Sequence, residues 1–394
     1  MTNIAILGLG VVGMGTADLL EKNKNLISGR LGDEIHIKYI LDLRDFPDTP
    51  YADRIVHDFE CIRRDPEIKL VAEMMGGAHP AYDFTKACLE AGKSVVTSNK
   101  EVVATFGAEL LATARKYGVT YAFEASVGGG IPIIRPLSKD FVSNEISAIS
   151  GILNGTTNYI LTEMLEKNKS YGDALTEAQA KGFAEKDPTA DVDGIDTCRK
   201  ICILTAMATG ILPDANHVKT VGIRNIDEAD VKLLAHTGAS VKLLGRMTVS
   251  DGKPCCIVAP FAVFAQNPLA HVSGVFNGII VHGETLGDTM FYGQGAGAEP
   301  TASAVCNDIV SILRDGVDSF APVFTPADQS SIHSSEAFRC RRYIRTDKNI
   351  SEVIRRFGPV QTLDGAFITE RAFSEKEFDA LSADFEPKST LRVF

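Results

Sequence analysis

Five acidic residues are concentrated in GFAEKDPTADVDGIDTCRK, residues 182–200, which ends on a lysine and which we call the acidic segment. Its acidic members are Glu185, Asp187, Asp191, Asp193 and Asp196, and its last residue is Lys200. These residue types suit three kinds of structure: a calcium loop, a solvated turn before a helix, or a cradle in which carboxylates hold an ammonium group while a lysine transfers a proton.

The spacing of the acidic segment argues against calcium. An EF-hand loop needs oxygen ligands at positions 1, 3 and 5, glycine at position 6 and a bidentate glutamate at position 12. The best register starts at Thr189 and puts Gly194 at position 6, but Lys200 then falls at position 12. A cation stands where two carboxylate oxygens are required, so the sequence predicts no calcium loop.

A helix that begins near Ile195 would place Asp196 and Lys200 four residues apart on one face. A lysine that accepts a proton from an alcohol needs a lowered pKa, which partial burial or a second nearby cation supplies. Lys100, in VVTSNKE, is a candidate for that second cation because it follows a predicted strand, at the sheet edge where open α/β folds bind ligands. An exposed lysine at a helix start is an equally compatible interpretation of Lys100.

The first residues of the chain predict a dinucleotide-binding turn. NIAILGLGVVGMGTADLL changes from an apolar strand to a helix across Gly8, Gly10 and Gly13, which form G-x-G-x-x-G. In this motif the first glycine makes the tight turn, the second admits a pyrophosphate and the third lets the helix pack closely on the strand. A glycine-rich turn without a ligand is the alternative.

The elements after this turn favour the dinucleotide interpretation. Strands are predicted at 35–42, 68–75, 93–98 and 119–126, with helical stretches between them. Such alternation predicts a doubly wound parallel sheet. At the end of the second strand, Asp42 can accept the adenosine ribose hydroxyls and repel a 2′-phosphate, whereas Arg44 can bind that phosphate. The sequence favours NAD and leaves NADP open.

Composition bounds the remaining possibilities. A chain of 394 residues is long enough for two or three domains, and its net charge of -11 argues against nucleic acid or an anionic membrane as the main partner. The eight cysteines and eight histidines show neither disulfide-framework nor zinc-ligand spacing. No apolar run reaches the length of a membrane span. We therefore expect a reduced, cytoplasmic protein whose first residues already form a strand rather than a secretory signal.

The second half changes pattern and predicts an α+β domain. Strands are predicted in ASVKLLGRMTV, PCCIVAPFAVF and GIIVHG, and the turn in FYGQGAGAEPTASAV is compatible with closure over a cofactor or with plain packing. The predicted boundaries are a dinucleotide-binding domain at 1–130, completed by about 300–324, and a substrate-binding and dimerisation domain at 131–299. A linker at 325–337 leads to a C-terminal module at 338–394.

The acidic segment carries the closest resemblance to a known family. AQAKGFAEKDPTADVDGIDTCRK, residues 178–200, is similar to the signature of the homoserine dehydrogenases, and TSNK, FEASVGGGIPI and GILNGTTNYIL resemble further blocks of that family. The resemblance covers about residues 1–325. It implies a reversible NAD(P)-dependent interconversion of L-homoserine and L-aspartate 4-semialdehyde, in threonine and methionine biosynthesis, by a homodimer or higher homo-oligomer.

The resemblance also implies roles for individual residues. Lys200 would transfer the proton with help from Lys100, Glu185 and Asp196 would hold the homoserine amino and hydroxyl groups, and Asp191 would support Lys200. The implied cofactor-binding residues are Gly8, Gly10, Val11, Val12, Gly13, Asp42, Arg44, Thr97, Ser98, Lys100, Gly182 and Gly297. A monovalent cation, sodium, would be held at Glu124, Val127, Gly129 and Ile131.

Two departures from the family pattern bear on function. Many relatives have a basic residue where this chain has Asp42, which agrees with the preference for NAD. The C-terminal module reads as β, α, β, β, α, β, the order of a minimal ACT-like unit. Its first strand is followed by TDKNIS instead of the usual D-x-P-G turn. The glycine of that turn would let a ligand approach the backbone closely, and this chain lacks it. We therefore predict a role in assembly rather than feedback by threonine.

Two other functions fit a dinucleotide fold. A cofactor-binding regulatory protein without activity is disfavoured because both lysines and every acid of the signature are present. An aspartate-semialdehyde dehydrogenase needs a thiolate nucleophile and a phosphate site, and no cysteine stands in a loop beside a basic residue.

Overall fold

A computed structural model describes residues 1–316 and 320–394 of the chain. Its strands are β1 (Thr2–Leu7), β2 (Ile35–Leu41), β3 (Ile55–Val56), β4 (Ile68–Glu73), β5 (Ser94–Thr97), β6 (Tyr121–Ala122), β7 (Ile146–Ile152), β8 (Ile211–Leu212), β9 (Lys219–Thr220), β10 (Ala239–Ser250), β11 (Lys253–Phe264), β12 (Phe276–Gly283), β13 (Gly287–Gln294), β14 (Thr325–Pro326), β15 (Arg339–Arg345), β16 (Val360–Leu363), β17 (Ala366–Thr369), β18 (Phe373–Ser374) and β19 (Ser389–Val393).

The helices are α1 (Val11–Lys22), α2 (Lys24–Leu31), α3 (Glu60–Arg64), α4 (Ala81–Glu90), α5 (Lys100–Tyr117), α6 (Ile134–Lys139), α7 (Gly155–Lys167), α8 (Tyr171–Ala180), α9 (Thr189–Val192), α10 (Ile195–Thr209), α11 (Glu228–Ala235), α12 (Ala298–Asp315), α13 (Ile350–Phe357) and α14 (Glu375–Ser382).

The chain divides into two compact units, each formed from several segments. Unit 1 contains residues 1–143, 206–212 and 293–326. Unit 2 contains residues 144–205, 213–292 and 327–394. Residues 131–143 and 206–212 thus belong to unit 1, although the sequence-based boundaries assign both to the substrate domain.

Unit 1 is built on a parallel sheet with the strand order β3-β2-β1-β4-β5-β6. This is the strand order of a dinucleotide-binding fold, in which the order of strand addition reverses between β1 and β4. The predicted strands at 35–42, 68–75 and 93–98 are confirmed to within two residues at each end. The predicted strand at 119–126 is only Tyr121–Ala122, because residues 124–126 turn into a 3-10 helix.

Unit 2 is built on a mixed sheet with the order β13-β12-β7-β10-β11-β19-β15-β17-β16. Its longest pair, β10 and β11, is joined by a two-residue turn in which Asp251 has φ 49° and Gly252 has φ 72°. Positive φ at both positions is the type I′ geometry that Asp-Gly favours, because it matches the twist of the strands. The helix α10 begins at Ile195, as the sequence predicts.

The C-terminal module has the predicted element order of β, α, β, β, α, β, with β18 as an additional short strand. Its four main strands pair in the antiparallel order β19-β15-β17-β16 around a core of five phenylalanines and two aliphatic residues, with more apolar residues at its edge. The strand β19 also pairs with β11 in parallel, so the sheet of unit 2 continues through the module. The assignment of the module as ACT-like remains a prediction.

The segment before this module is packed rather than extended away from the fold. The N–H of His333 donates to the carbonyl of Pro254 at 2.9 Å, and the hydroxyl of Ser335 donates to the carbonyl of Cys256 at 2.6 Å. Residues 333 and 335 are therefore fixed to β11, and the Ser- and Pro-rich composition that predicts a linker gives no sign of this contact.

Candidate active and cofactor sites

The glycine-rich turn of unit 1 has the geometry that G-x-G-x-x-G requires. Gly8 has φ 92°, a conformation that strains other residues. A Cβ atom on Gly13 would lie 2.0 Å from the carbonyl oxygen of Gly8, so only glycine lets α1 pack this closely on β1. A Cβ on Gly10 would meet nothing within 4 Å, which leaves open space at the helix start where a pyrophosphate binds.

A cavity of about 480 Å³ lies at this turn and reaches the end of β2. The rings of Phe59 and Phe84, both on its wall, stack with centroids 4.1 Å apart. Met74 and Leu41 add apolar surface, and Asp42 is among the polar residues that line the cavity. The cavity therefore offers apolar walls for a flat base and a carboxylate for a ribose.

Asp42 and Arg44 form a bidentate pair within this cavity. The guanidinium donates to both carboxylate oxygens at 3.0 Å, and the backbone N–H of Leu9 donates to Asp42 Oδ2 at 2.8 Å. The Arg44 guanidinium lowers the pKa of the Asp42 carboxyl to about 2. Arg44 is 64% exposed, so it can turn toward solvent or a ligand while the anchored Asp42 stays in place.

The other residues expected at the cofactor lie at element ends or turns. Val11 and Val12 are the first residues of α1, with Val11 73% exposed, and Gly297 precedes α12 with φ 119°. Gly182 has φ 74° and belongs to unit 2, where it is exposed. Ser98 follows β5 and is half-buried. None of the contacts described for these residues assigns them a role.

Thr97 binds a buried carboxylate, that of Glu73, which directly precedes the cavity-lining residues Met74 and Met75. Its hydroxyl donates to Glu73 Oε2 at 2.6 Å, and the N–H of Met75 donates to Glu73 Oε1 at 2.7 Å. Glu73 is fully buried at the end of β4, and burial raises the pKa of its carboxyl to about 7. Thr97 and Met75 are uncharged, so Glu73 is stabilised by hydrogen bonds to neutral groups.

Lys100 is the first residue of α5, at the end of the loop that follows β5. The side chain of Asn99 caps this helix by accepting a hydrogen bond from the N–H of Val102. Lys100 is half-buried. The predicted position beyond a parallel strand is therefore confirmed, and the helix start adds the positive end of a macrodipole to the lysine charge.

Lys200 lies at the centre of a buried polar network in unit 2. Its Nζ donates to Asp196 Oδ2 and to the carbonyl oxygen of Leu153, each at 2.7 Å. Lys200 and Asp196 are 8% and 5% exposed. The i, i+4 spacing on α10 brings the two side chains together, as the sequence predicts.

Asn154 joins the carboxylates of Asp191 and Asp196, and its role was not predicted from the sequence. Its Nδ2 donates to Asp191 Oδ1 at 2.7 Å and to Asp196 Oδ2 at 2.9 Å. Its Oδ1 accepts from the N–H of Thr157 and so caps α7. An asparagine before Gly-Thr-Thr does signal a helix start, but nothing local indicates that its amide reaches α9 and α10.

The remaining acids of the acidic segment lie outside this network. Glu185 is exposed, and its carbonyl accepts from the Gln179 amide at 3.1 Å. Asp187 accepts from the N–H of Thr189 at the start of α9. Asp193 forms an ion pair with Arg224. The structure thus places Asp191 and Asp196 beside Lys200 through Asn154, and shows no such contact for Glu185 among the described residues.

Glu124 binds the first turn of α6. Its Oε1 accepts from the backbone N–H groups of Ile133 and Ile134 at 2.7 and 2.8 Å. Its Oε2 accepts from the backbone N–H of Arg135 at 2.8 Å. A carboxylate has about four acceptor positions, so one remains for a cation. Burial raises the pKa of the Glu124 carboxyl.

The other residues expected at the cation form a tight loop after Glu124. Gly129 has φ 57°, Gly128 before it has φ 77°, and a Cβ on Gly129 would lie 2.6 Å from the carbonyl carbon of Gly295. Val127 and Ile131 flank this turn and are buried. Over residues 1–316 and 320–394, no group of three or more His, Cys, Asp or Glu side chains is placed to hold a metal ion.

The helices of the described ranges include none that is long and apolar enough to cross a membrane.

Two family profiles match the chain. The one described as "Homoserine dehydrogenase, NAD binding domain" matches residues 8–124. The one described as "Homoserine dehydrogenase" matches residues 132–310. The two matches meet near the end of the parallel sheet, and the second contains the acidic segment.

Curated relatives and solved structures carry the same name. A homoserine dehydrogenase of Lactococcus lactis is 41% identical over 318 residues, 79% of this chain and 74% of the relative. One of Pseudomonas aeruginosa is 41% identical over 313 residues, 79% of this chain and 72% of the relative. The crystal structure of a homoserine dehydrogenase from Thiobacillus denitrificans is 33% identical with a TM-score of 0.90, covering 100% of this chain and 98% of that one. A hyperthermophilic archaeal homoserine dehydrogenase mutant in complex with NADPH is 29% identical with a TM-score of 0.68, covering 79% and 97%.

Proposed function

Because the chain belongs to the homoserine dehydrogenase family, we propose that it interconverts L-homoserine and L-aspartate 4-semialdehyde, with Lys200 as the group that exchanges the substrate proton. The enzyme is an NAD(P)-dependent oxidoreductase of amino-acid biosynthesis. The observation that carries the residue assignment is the buried network in which Lys200 contacts Asp196 at 2.7 Å.

Oxidation removes a hydride and a proton from the alcohol. The dinucleotide, when bound, accepts the hydride from the carbon that carries the hydroxyl. Neutral Lys200 accepts the hydroxyl proton as the carbonyl forms, and in the reverse direction its ammonium returns that proton to the oxygen. Lys100 assists by placing a second positive charge near the developing oxyanion.

Substrate binding uses the carboxylates around the lysine. Asp191 and Asp196 share the amide of Asn154, which fixes both carboxylates. We propose that Asp196 binds the substrate hydroxyl and that Asp191 supports Lys200. Glu185 is exposed, and we propose that its carboxylate binds the substrate ammonium group.

For the cofactor we propose a preference for NAD over NADP. Asp42 is held by the Leu9 N–H at the end of β2, where a carboxylate accepts ribose hydroxyls and repels a 2′-phosphate. Arg44 is bound to that carboxylate, which reduces the net positive charge offered to a phosphate.

For the cation we propose sodium at the loop that follows Glu124. The remaining acceptor position of Glu124 and the carbonyls of Val127, Gly129 and Ile131 are hard oxygen donors, which suit an alkali cation. By binding these oxygens together, the cation would stabilise the loop that follows Glu124.

We further propose that unit 1 binds the dinucleotide, with 1–130 completed by 300–324 as its functional part, and that unit 2 binds homoserine and dimerises. The net charge of -11 suits a cytoplasmic enzyme with small-molecule partners.

The test of function is oxidation of L-homoserine followed by cofactor reduction at 340 nm, with NAD and NADP measured side by side. L-serine, which lacks one methylene, is the control alcohol. We expect homoserine-dependent reduction with NAD, weaker reduction with NADP and little with serine. If homoserine reduces neither cofactor, the proposed activity is wrong.

A further inference from the structure

His57 lines the nucleotide cavity beside Asp42 and has no role in the proposed function. The last two residues of β2 pair in parallel with Ile55 and Val56, which form β3. Asp42 and His57 are therefore the first residues after two neighbouring strands, at the edge of the sheet where open α/β folds bind ligands. His57 thus lies next to the carboxylate at which we expect the adenosine ribose.

The two ring nitrogens of His57 both face acceptors. Nδ1 lies 2.7 Å from the carbonyl oxygen of Asp42, and Nε2 lies 3.1 Å from Asp45 Oδ1. A neutral imidazole has one N–H and can donate to only one of these oxygens, whereas an imidazolium donates to both. The surroundings of the ring therefore suit its charged form.

The charge of this ring determines the net charge at the ribose end of the cavity. Among the described residues, the ionisable side chains that line the cavity are those of Asp42, Arg44 and His57. The charges of Asp42 and Arg44 cancel within their ion pair. A protonated His57 therefore adds an uncompensated positive charge to the lining, and a neutral His57 adds none.

Asp45 is a partner of His57 that a ligand can replace. Its side chain is 87% exposed and that of His57 is 53% exposed, and an ion pair this exposed contributes little to stability. Asp58, the next residue after His57, accepts from the backbone N–H of Glu60. An anion in the cavity can therefore take the place of Asp45 at Nε2 while Nδ1 stays bound to the backbone of Asp42.

We propose that His57 is a specificity-determining residue for the cofactor, whose imidazolium binds the 2′-phosphate of NADP together with Arg44, so that discrimination against NADP weakens as the pH falls. The Nε2–H donates to a phosphate oxygen in place of Asp45, and the exposed Arg44 guanidinium turns toward the same phosphate. Above the range of about pH 5–8 in which histidine titrates, the ring is neutral and the phosphate loses one of its two cationic partners. This inference rests on the proposed binding of the ribose at Asp42 and refines the proposed preference for NAD.

Binding of two adenosine nucleotides tests the role of His57 without turnover. Adenosine 5′-monophosphate and adenosine 2′,5′-bisphosphate differ only in the 2′-phosphate, so the ratio of their dissociation constants measures how well the protein accepts that group. Both constants are measured by titration calorimetry of the full chain at pH 6.0 and pH 8.5, at constant ionic strength. The 2′-phosphate itself loses charge toward pH 6.0, but it does so equally with every protein variant, so the comparison between variants isolates the histidine.

Two substitutions of His57 represent its two charge states. At pH 6.0 the unmodified chain should favour the bisphosphate about tenfold more than His57→Gln does, the lower end of the effect of one charge-assisted hydrogen bond. At pH 8.5 the two proteins should agree within twofold. His57→Arg keeps its charge and should hold the advantage at both pH values, which a purely structural role of His57 would not produce. His282→Gln removes an exposed histidine paired with Asp288 in unit 2 and, as the matched control, should behave like the unmodified chain.

The inference is overturned if His57→Gln and the unmodified chain accept the 2′-phosphate equally at pH 6.0, or if His57→Arg has no advantage over His57→Gln at pH 8.5. In homoserine oxidation, the ratio of kcat/KM for NADP to that for NAD should follow the same order among the variants, and a ratio that ignores these substitutions would remove His57 from cofactor choice. A chain that does not oxidise homoserine would contradict the proposed activity alone, because the nucleotide titrations involve no turnover.

Discussion

Each unit buries a carboxylate beside its candidate site, and the two carboxylates have different kinds of partner. In unit 2, Asp196 receives hydrogen bonds from the Lys200 ammonium and the Asn154 amide. In unit 1, Glu73 receives them from a hydroxyl and a backbone N–H. Both are at most 5% exposed. The first carboxylate has a cationic partner and belongs to the network that we propose for proton transfer, whereas burial among neutral donors raises the pKa of the second to about 7.

The two units thus differ in the partners of the buried carboxylate: in unit 2 it is paired with a cationic side chain, and in unit 1 it is bound by neutral donors. The two charges of the Lys200–Asp196 pair in unit 2 are expensive to desolvate, and their mutual attraction can fail to offset that cost. The neutral surroundings of Glu73 suit a structural carboxyl group that supports the loop around Met75, on the wall of the nucleotide cavity. Substitutions in each unit test this comparison.

The largest effect is expected from Lys200→Ala. Loss of the general base should lower kcat for homoserine oxidation by about 10³-fold, within the range for positioned proton-transfer groups. Cofactor affinity, measured by fluorescence titration, should change less than threefold. Lys181→Ala, which removes an exposed lysine paired with Glu177, is the control. A kcat within threefold of the unmodified enzyme would remove Lys200 from the mechanism.

Glu73→Gln should change how stability depends on pH. The pKa of Glu73 is raised from 4.5 to about 7, so the folded state binds this proton more tightly than the unfolded chain. The stabilisation is complete below about pH 4.5 and is lost as the pH rises through 7.

Between pH 5 and 8 the unmodified protein should therefore lose about 3 kcal/mol of unfolding free energy relative to Glu73→Gln. Urea unfolding across this range measures the difference. Parallel pH profiles of the two proteins would show that Glu73 has an ordinary pKa in the folded state.

Asn154→Ser separates helix capping from the carboxylate network. Serine keeps an oxygen that can cap α7 but loses the amide that joins Asp191 and Asp196. We expect kcat to fall about 10- to 50-fold, equivalent to about one hydrogen bond to a charged group. Ser170→Ala, which removes the cap of α8, should cost about 1 kcal/mol of stability and leave kcat unchanged. Equal kcat in both variants would mean that Asn154 acts only as a cap.

The smallest effect is expected at the cofactor site. Asp42→Ser removes the carboxylate that repels a 2′-phosphate and frees Arg44 to bind it. The ratio of kcat/KM for NADP to that for NAD should rise about tenfold, equivalent to 1.4 kcal/mol. Arg44→Ala is the paired control and should not raise it. An unchanged ratio in Asp42→Ser would place Asp42 away from the ribose.

The sequence predicted what local spacing determines. The turn at Gly8, Gly10 and Gly13 and the Asp196–Lys200 pair depend on residues a few positions apart, and the structure contains both. The prediction of a strand at 119–126 is mostly wrong. The backbone turns into a 3-10 helix at Glu124, whose carboxylate binds the start of α6. Local β-propensity contains no information on this contact.

What the sequence could not predict depends on contacts between distant segments. Asn154 reaches Asp191 and Asp196, 37 and 42 residues away. The fixed position of Ser335 depends on Cys256, 79 residues away. Spacing within a segment contains no information on such contacts.

The position of β19 has a consequence for biosynthesis. This strand lies between β11 and β15, and all the other strands of unit 2 precede it in the chain. Until β19 has been translated, the edge of β11 at Phe261 and Ala262 and the edge of β15 from Arg341 to Arg345 lack this strand partner, a state that favours pairing with other chains. Because β11 and β19 are far apart in sequence, their pairing is also slow. A ribosome that stalls before residue 389 would thus release a chain prone to aggregation, even though every residue of both candidate sites had already been made.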